Sequence, residues 1–303
     1  MGVSWIPLLS EWLQARNRKN VLKSDNGTGW INGCEVIGNK AFLPSDADTM
    51  GANTNRFTHR VIANVPRATS YMGEEFRKLF IPDTGLVLVG WDAKALEARI
   101  EAHYTHPADP AYAEELCEGD VHQRNLEAIP DLIDRDGAKK FKYAVTYGAQ
   151  AGKLASTFGW DLAKANIVYD DFWRQNKALA QVKEGLKIHW EANSKQFIVG
   201  LDGRPIHTRS EHSLLNALFQ SAGAIVMKYA MVIAHNKLKA EFGNQATGLI
   251  RYHDEEVWEC KPEIAERVAE IGMASVVAAG KYLNLRVPLE ADAKIGNSWL
   301  EIH

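Results

Sequence analysis

The segment Arg135-Asp-Gly-Ala-Lys139-Lys-Phe-Lys-Tyr143-Ala-Val-Thr-Tyr147-Gly148 carries Arg135, Lys139, Tyr143 and Tyr147 at intervals of four. Each step of four advances an α-helix about 40° past a full turn, so the spacing predicts one slowly drifting stripe along a single helical face. The N-terminal half of the stripe is cationic and suits a polyphosphate. The C-terminal half is aromatic and suits the flat face of a base. A nucleoside triphosphate lying along such a helix meets both in the right order, and Gly148 then ends the helix. An amphipathic helix with a basic solvated face and two core tyrosines has the same spacing, and the segment alone fits both readings.

Carboxylates stand at the ends of β-prone runs on either side of it. Upstream, Leu86-Val-Leu-Val-Gly-Trp91 is an unbroken apolar run of the buried-strand type. Asp92 ends the run, and Ala93 to Ile100 start a helix. Asp92 is then either a catalytic carboxylate at the end of a buried strand or the cap of the helix that follows. Downstream, Gly248 to Cys260 reads as two short β-prone runs with His253, Asp254 and Glu255 at the bend. Acidic residues are ordinary at a hairpin tip. Apolar flanks predict a buried hairpin, however, where an unpaired carboxylate is costly and calls for a metal or a cationic partner.

The remaining segments supply fewer functional groups. A helix is expected from Ser10 through Leu22, and short strands and turns over 25–55, including Gly29-Trp-Ile-Asn-Gly33. Arg56 lies in a polar, basic segment that reads as a loop. Two short helices are expected over 109–134, with Gly119-Asp-Val-His122 between them; His122 is either a phosphate donor or a surface histidine. Gly148-Ala-Gln-Ala-Gly152-Lys153 imitates a phosphate-binding loop but is one residue short, has Leu154 in place of Ser or Thr, and follows a helix, so it is rejected. Residues 161–193 read as helical, and 196–208 as a hairpin turning at Asp202-Gly203. A long helix over 212–240 places Asn216 and Gln220 on one face beside small residues, where they either face water or approach the minor groove of a duplex. A helix over 262–283 and a strand over Arg286–Glu290 complete the expected elements.

Composition sets the bounds. The chain has 303 residues, 46% apolar and 24% charged, which fits one large or two ordinary folded domains. A net charge of −3 gives no overall attraction to nucleic acid, so any basic surface is local, as at Arg16-Asn-Arg18-Lys19 and Lys139-Lys140-Phe-Lys142. Three widely separated cysteines indicate a reducing compartment, with no disulfide framework and no zinc site. The sequence reads as having no apolar run of membrane-spanning length and no signal-peptide pattern, so no membrane partner is expected.

Asp92 and Asp254, on two buried β elements, suit a pair of divalent ions. Two metals about 3.5–4 Å apart clamp the attacking and leaving oxygens of an in-line phosphoryl transfer. Mg²⁺ fits such a donor set, since it takes carboxylate and phosphate oxygens and keeps some waters. Arg135 and Lys139 would neutralise a triphosphate, and Lys139 is placed to protonate the leaving pyrophosphate. A hydrolytic dyad or a structural ion pair leaves the spaced helix unexplained.

Together these residues resemble the family A (Pol I-like) DNA polymerases, most closely the T-seven-type phage replicative enzymes. Gly90 to Arg99 is similar to motif A of that family, Arg135 to Gly148 to motif B, and Tyr252-His-Asp-Glu255 to motif C. Arg56-Phe-Thr-His with Asn64-Val-Pro, Gly119 to His122, Gly203-Arg204, Asn216 to Gly223, and Lys294 to His303 extend the resemblance from about residue 8 to the last residue. The resemblance implies an α+β fold. Its right-hand palm is an antiparallel sheet backed by helices, with helical fingers inserted. The implied domains are 1–25 (the remnant of a thumb helix), 26–102 (first part of the palm), 103–212 (fingers) and 213–303 (second part of the palm). The implied activity is template-directed DNA synthesis from dNTPs on primer–template DNA with two Mg²⁺ ions, in the cytoplasm of a host cell.

The resemblance also assigns roles. Asp92, Asp254 and the Ala93 carbonyl would be metal ligands. Glu97 would be the gate that excludes a 2′-hydroxyl. His122, Arg135 and Lys139 would hold the triphosphate. Tyr143 would meet the sugar and base and, as a tyrosine, admit dideoxynucleotides; Tyr147 would stack at the template position until the fingers close. His253 would touch the primer terminus, and Arg56, Asn216 and Gln220 the minor groove of the nascent pair. Family members usually carry an exonuclease and a full thumb before the palm. A separate thumb or exonuclease subunit, or a processivity factor, is therefore an expected partner. Asn55 stands where a glycine usually precedes the arginine. Two alternatives are a single-subunit RNA polymerase, against which Glu97 argues, and a non-catalytic DNA-binding replisome subunit, which would not need Asp92, Asp254 and Lys139.

Overall fold

The computed structural model describes residues 5–63, 65–129 and 131–303. The chain begins with α1 (Trp5–Leu22) and α2 (Trp30–Gly33). Two small antiparallel pairs follow, β1 (Glu35–Ile37) with β2 (Lys40–Phe42) and β3 (Ala47–Asp48) with β4 (Thr58–His59), and then α3 (Gly73–Lys78). After β5 (Val87–Ala93) comes a run of helices: α4 (Leu96–Thr105), α5 (Pro110–Glu118), α6 (Val121–Ala128), α7 (Arg135–Thr146), α8 (Ala151–Phe158), α9 (Leu162–Gln175) and α10 (Lys177–Ala192). A hairpin of β6 (Phe197–Val199) and β7 (Pro205–His207) leads to α11 (Leu214–Phe242), β8 (Ala246–Tyr252), β9 (Glu255–Cys260), α12 (Ala265–Tyr282) and β10 (Ala291–Gly296).

The apolar run at 86–91 becomes an inner strand of a four-stranded sheet in the order β10-β5-β9-β8, antiparallel throughout. Alternate residues of a strand point to opposite faces. Val89, Trp91 and Ala93 therefore enter the main core beneath α11 and α12, while Leu88 enters a second cluster with Trp30, Phe76, Ile250, Trp299 and Ile302. Gly90 shares the Leu88 face, and Ile302 packs so closely there that a Cβ at position 90 would lie 2.9 Å from its Cδ1. Asp92 follows two residues on, on that same face.

α11 and α12 back the sheet. Ala222, Val226, Ala230, Ala234 and Leu238 form a fully buried stripe at intervals of four along α11. This corrects the expectation that no apolar run reaches membrane-spanning length: by length and composition the helical stretch 211–242 is long and apolar enough. Its buried stripe packs against protein, and 56% of its most apolar window lies inside the fold.

Helices α4 to α10 are inserted between the first and later strands of the sheet. Asp134 caps α7 by accepting the Gly137 N–H at 2.6 Å. Ala138, Phe141 and Val145 of α7 are buried in the main core with Leu154 and Phe172. Arg135, Lys139 and Tyr147 are exposed and Tyr143 is half-buried. The stripe thus faces outward, which excludes the reading of two core tyrosines.

Three local expectations change and one, the helical stretch 161–193, gains detail. α1 already includes Trp5, the first described residue, and so extends upstream of Ser10. Trp30–Gly33 is a helical turn; the Trp30 indole is buried, donates to the Val61 carbonyl at 3.1 Å and packs edge-on against Phe76 and Phe80, so tertiary packing overrides local propensity. The helical stretch 161–193 is two helices, broken at Asn176, whose side-chain amide donates to the Phe172 carbonyl. The last strand is Ala291–Gly296 rather than 286–290, where Pro288 has no N–H to give a ladder.

Candidate active site

Asp92, one residue from the end of β5, lies in register with Glu255 of β9 on one side and Asp292 of β10 on the other. The β8–β9 hairpin turns through His253 and Asp254, with His253 at φ 59°. The Ala93 N–H donates to the Asp254 carbonyl at 3.2 Å, which fixes the turn against the end of β5. Asp92 does not cap α4: the N-cap is Ala95, at φ 48°, and no side chain caps that helix. Burial pushes the Asp92 carboxyl above its usual range, and repulsion from Asp254, Glu255 and Asp292 pushes it further. Among the described residues neither Asp92 nor Asp254 has a hydrogen-bonded or ion-paired side-chain partner, so negative charge accumulates at this edge, and the nearby His303 only partly offsets it at Asp92.

Among the described residues no group of three or more His, Cys, Asp or Glu side chains is arranged to hold a metal unaided. Two unpaired carboxylates beside the Ala93 carbonyl form an open, all-oxygen set. This fits Mg²⁺, which usually relies on one or two carboxylates together with water and substrate phosphate, rather than a closed protein cage.

Beside the carboxylates opens a cleft of about 90 Å³, lined among others by Arg56, Glu97, Gln220, His253 and Asp254. The Tyr147 hydroxyl donates to Glu97 Oε2 at 2.8 Å, and Gln220 Nε2 lies 3.4 Å from the same hydroxyl. Burial raises the Glu97 carboxyl, and the Tyr147 hydrogen bond partly offsets this. The Tyr147 phenol is raised in turn, by burial first and then by its bond to Glu97. Asn55 adopts φ 60°, the left-handed region in which Asn is the best-tolerated substitute for glycine. Its side chain donates to Ser221 Oγ at 3.3 Å, tying the Arg56 segment to α11. Asn216 lies one turn before Gln220 and does not line the cleft. Asn64 falls outside the described residues.

The cationic half of the stripe meets the N-terminus of α6. Asp120 caps α6 by accepting the His122 and Gln123 N–H groups, and its other oxygen accepts Arg135 Nε at 2.6 Å. The His122 ring sits 5.9 Å from that of Tyr143, and Tyr143 is 5.9 Å from Tyr147. Burial, together with the charges of Lys142, Arg135 and Lys139, holds the His122 imidazole down at about 4. His122 is therefore neutral at pH 7 in a locally positive field. Lys139 is exposed and, among the described residues, has no anionic partner.

Several residues of the site were not singled out from sequence. Glu255 was legible as the neighbour of Asp254, but its role was not. Asp292 and His303 reach the acidic edge only through the register of β10 and the packing of the last residues. Behind α7, Lys142 donates to Glu101 at 2.8 Å and Tyr112 donates to the other Glu101 oxygen at 2.7 Å, all buried.

Residues 39–301 match the profile of DNA polymerase family A. The DNA-directed DNA polymerase of Enterobacteria phage T3 is 29% identical to this chain, over 98% of the chain and 46% of the phage enzyme. That of Escherichia phage T7 gives the same identity and the same coverage. The chain thus spans about half the length of these relatives. The POL domain of Pol1 from M. smegmatis, solved in complex with DNA primer-template and dNTP, superposes with a TM-score of 0.82 at 20% identity, over 98% of this chain and 54% of that one. The fold is that of a polymerase domain, an antiparallel palm sheet backed by helices with helical fingers inserted, and the chain belongs to DNA polymerase family A.

Proposed function

We propose that this chain catalyses template-directed DNA synthesis, adding dNTPs to the 3′ end of a primer. The observation that carries the reading is Asp92 and Asp254 together at one edge, both without side-chain partners among the described residues, beside a cleft whose Glu97 takes the hydrogen bond of Tyr147, the last member of the outward-facing Arg135–Lys139–Tyr143–Tyr147 stripe. Family A DNA polymerases generally use divalent metal ions. Two Mg²⁺ ions, held by Asp92, Asp254 and the Ala93 carbonyl, would supply charge neutralisation at the reacting phosphate and activate the primer hydroxyl.

The chain's own residues position and discriminate. Lys139, Arg135 and His122 hold the triphosphate, and Lys139 gives a proton to the leaving pyrophosphate. Arg135 exchanges Asp120 for phosphate when the nucleotide arrives. Tyr143 lies along the sugar and base. Glu97 fills the space a 2′-hydroxyl would need, and Tyr147, now bonded to it, stacks at the template position until the incoming pair displaces it. Arg56, Gln220 and Asn216 meet minor-groove acceptors common to all correct pairs. His253 contacts the primer terminus.

We assign residues 26–102 and 213–303 to the palm, 103–212 to the fingers and 1–25 to the end of a thumb helix. The work would take place in the host cytoplasm. The test is single-turnover nucleotide incorporation. Asp92→Ala or Asp254→Ala is expected to abolish it and leave primer–template affinity within a few-fold of the parent; substantial incorporation by either variant overturns the assignment.

A further inference from the structure

We infer that His303 is a positioning residue of this catalytic centre, holding Glu255 beside Asp254 and Asp92. This deepens the proposed function and rests on it. Glu255 follows Asp254 directly, pairs in register with Asp92 across β5 and β9, and is buried. A buried carboxylate needs partners for both oxygens. Glu255 Oε1 accepts the Trp299 indole N–H at 2.8 Å, and Oε2 lies 3.1 Å from His303 Nδ1.

The two partners differ in freedom. Trp299 is 1% exposed, fixed edge-on between Phe80 and Tyr252, with its backbone N–H donated to the Phe80 carbonyl. His303 is exposed on one side, and its position is set by two contacts of the same tail. Lys294 donates to its carbonyl at 2.9 Å. Ile302 packs over Gly90, two residues before Asp92 on the same face of β5. The tail therefore runs over the face of the sheet that carries Asp92, and His303 meets Glu255 there. With an N–H at Nδ1, the imidazole fixes the orientation of Oε2, next along the chain to Asp254 and in register with Asp92. Without it, that oxygen is free to turn, and the geometry of the two aspartates loosens.

The closing experiment combines His303→Ala, His303→Asn, Glu255→Gln and the double variant, with the full chain and a primer–template. The expected result is that His303→Ala lowers the incorporation rate and weakens Mn²⁺ binding, read by electron paramagnetic resonance, each by roughly 10-fold, the scale on which outer partners of metal ligands act. The KM for dNTP and the DNA affinity stay unchanged. Asn places an amide N–H where Nδ1 stood, so His303→Asn restores both readouts. Adding His303→Ala to Glu255→Gln costs nothing further, because the group it acts through has already changed. Parental behaviour of His303→Ala, equal impairment of the Ala and Asn variants, or additive losses in the double variant would overturn the inference. If the parent chain fails to synthesise DNA, the proposed function falls, and the Mn²⁺ measurements alone decide the role of His303.

Discussion

Glu97 shows how much one side chain can be asked to do at this site. It sits one turn before Glu101 on α4, is raised by burial, and takes the hydrogen bond of Tyr147. Glu97→Ala is expected to raise the ratio of ribonucleotide to deoxynucleotide incorporation by at least 10-fold, about 1.4 kcal/mol of lost discrimination; an unchanged ratio in competition assays would remove the gate. Tyr143→Phe should lower the use of dideoxynucleotides relative to dNTPs, measured as chain-termination frequency, with equal termination in both proteins as the contrary result. At this scale the sequence was informative where function lies in chemistry close along the chain. Asp92 at the end of an apolar run, Asp254 at a hairpin tip and the four-residue stripe were all legible. Glu255, Trp299 and His303 were not legible as a unit, because a hydrogen bond between residues 44 or 48 positions apart leaves no local pattern.

Among the elements, α7 matters most, and what holds it is hidden in its sequence. Alternation of four named its outward face. Its inward face is fixed by Phe141 and Val145 and by the buried Lys142–Glu101–Tyr112 set, which joins α7 to α4 and α5. Breaking a buried pair leaves an uncompensated charge, so Lys142→Ala is expected to cost about 3–5 kcal/mol of unfolding free energy. Denaturant titration checks this; a loss below about 1 kcal/mol would mean that solvent already reaches the pair. The last strand shows the opposite limit. Arg286–Glu290 has strand-like residues, yet Pro288 and the packing of Val287 and Leu289 keep it out of the ladder, and pairing begins at Ala291. Register depends on what lies across the sheet, which no window of local sequence contains.

For the molecule as a whole, two cores share one sheet, and the acidic edge lies where β5, the β8–β9 turn and the last residues meet. Buried histidines tie overall stability to pH. His103 is buried, accepts the Arg286 N–H at 3.1 Å, and is held down at about 4 by burial and by the charges of Arg286 and His106. Its folded-state value is below the unfolded value of 6.5, so its contribution is complete above about pH 6.5 and is lost as pH falls toward 4. His103→Asn keeps an acceptor without the titration. It is expected to narrow the drop in thermal midpoint between pH 7.5 and pH 5; an undiminished drop would assign the loss to other groups. The most direct test of the central claim is primer extension by this chain on a labelled primer–template with Mg²⁺, given either dNTPs or NTPs. The account predicts extension with template-matched dNTPs, little or none with NTPs, and none by Asp254→Ala. Primer–template binding without any extension, or extension that survives Asp254→Ala, would contradict it.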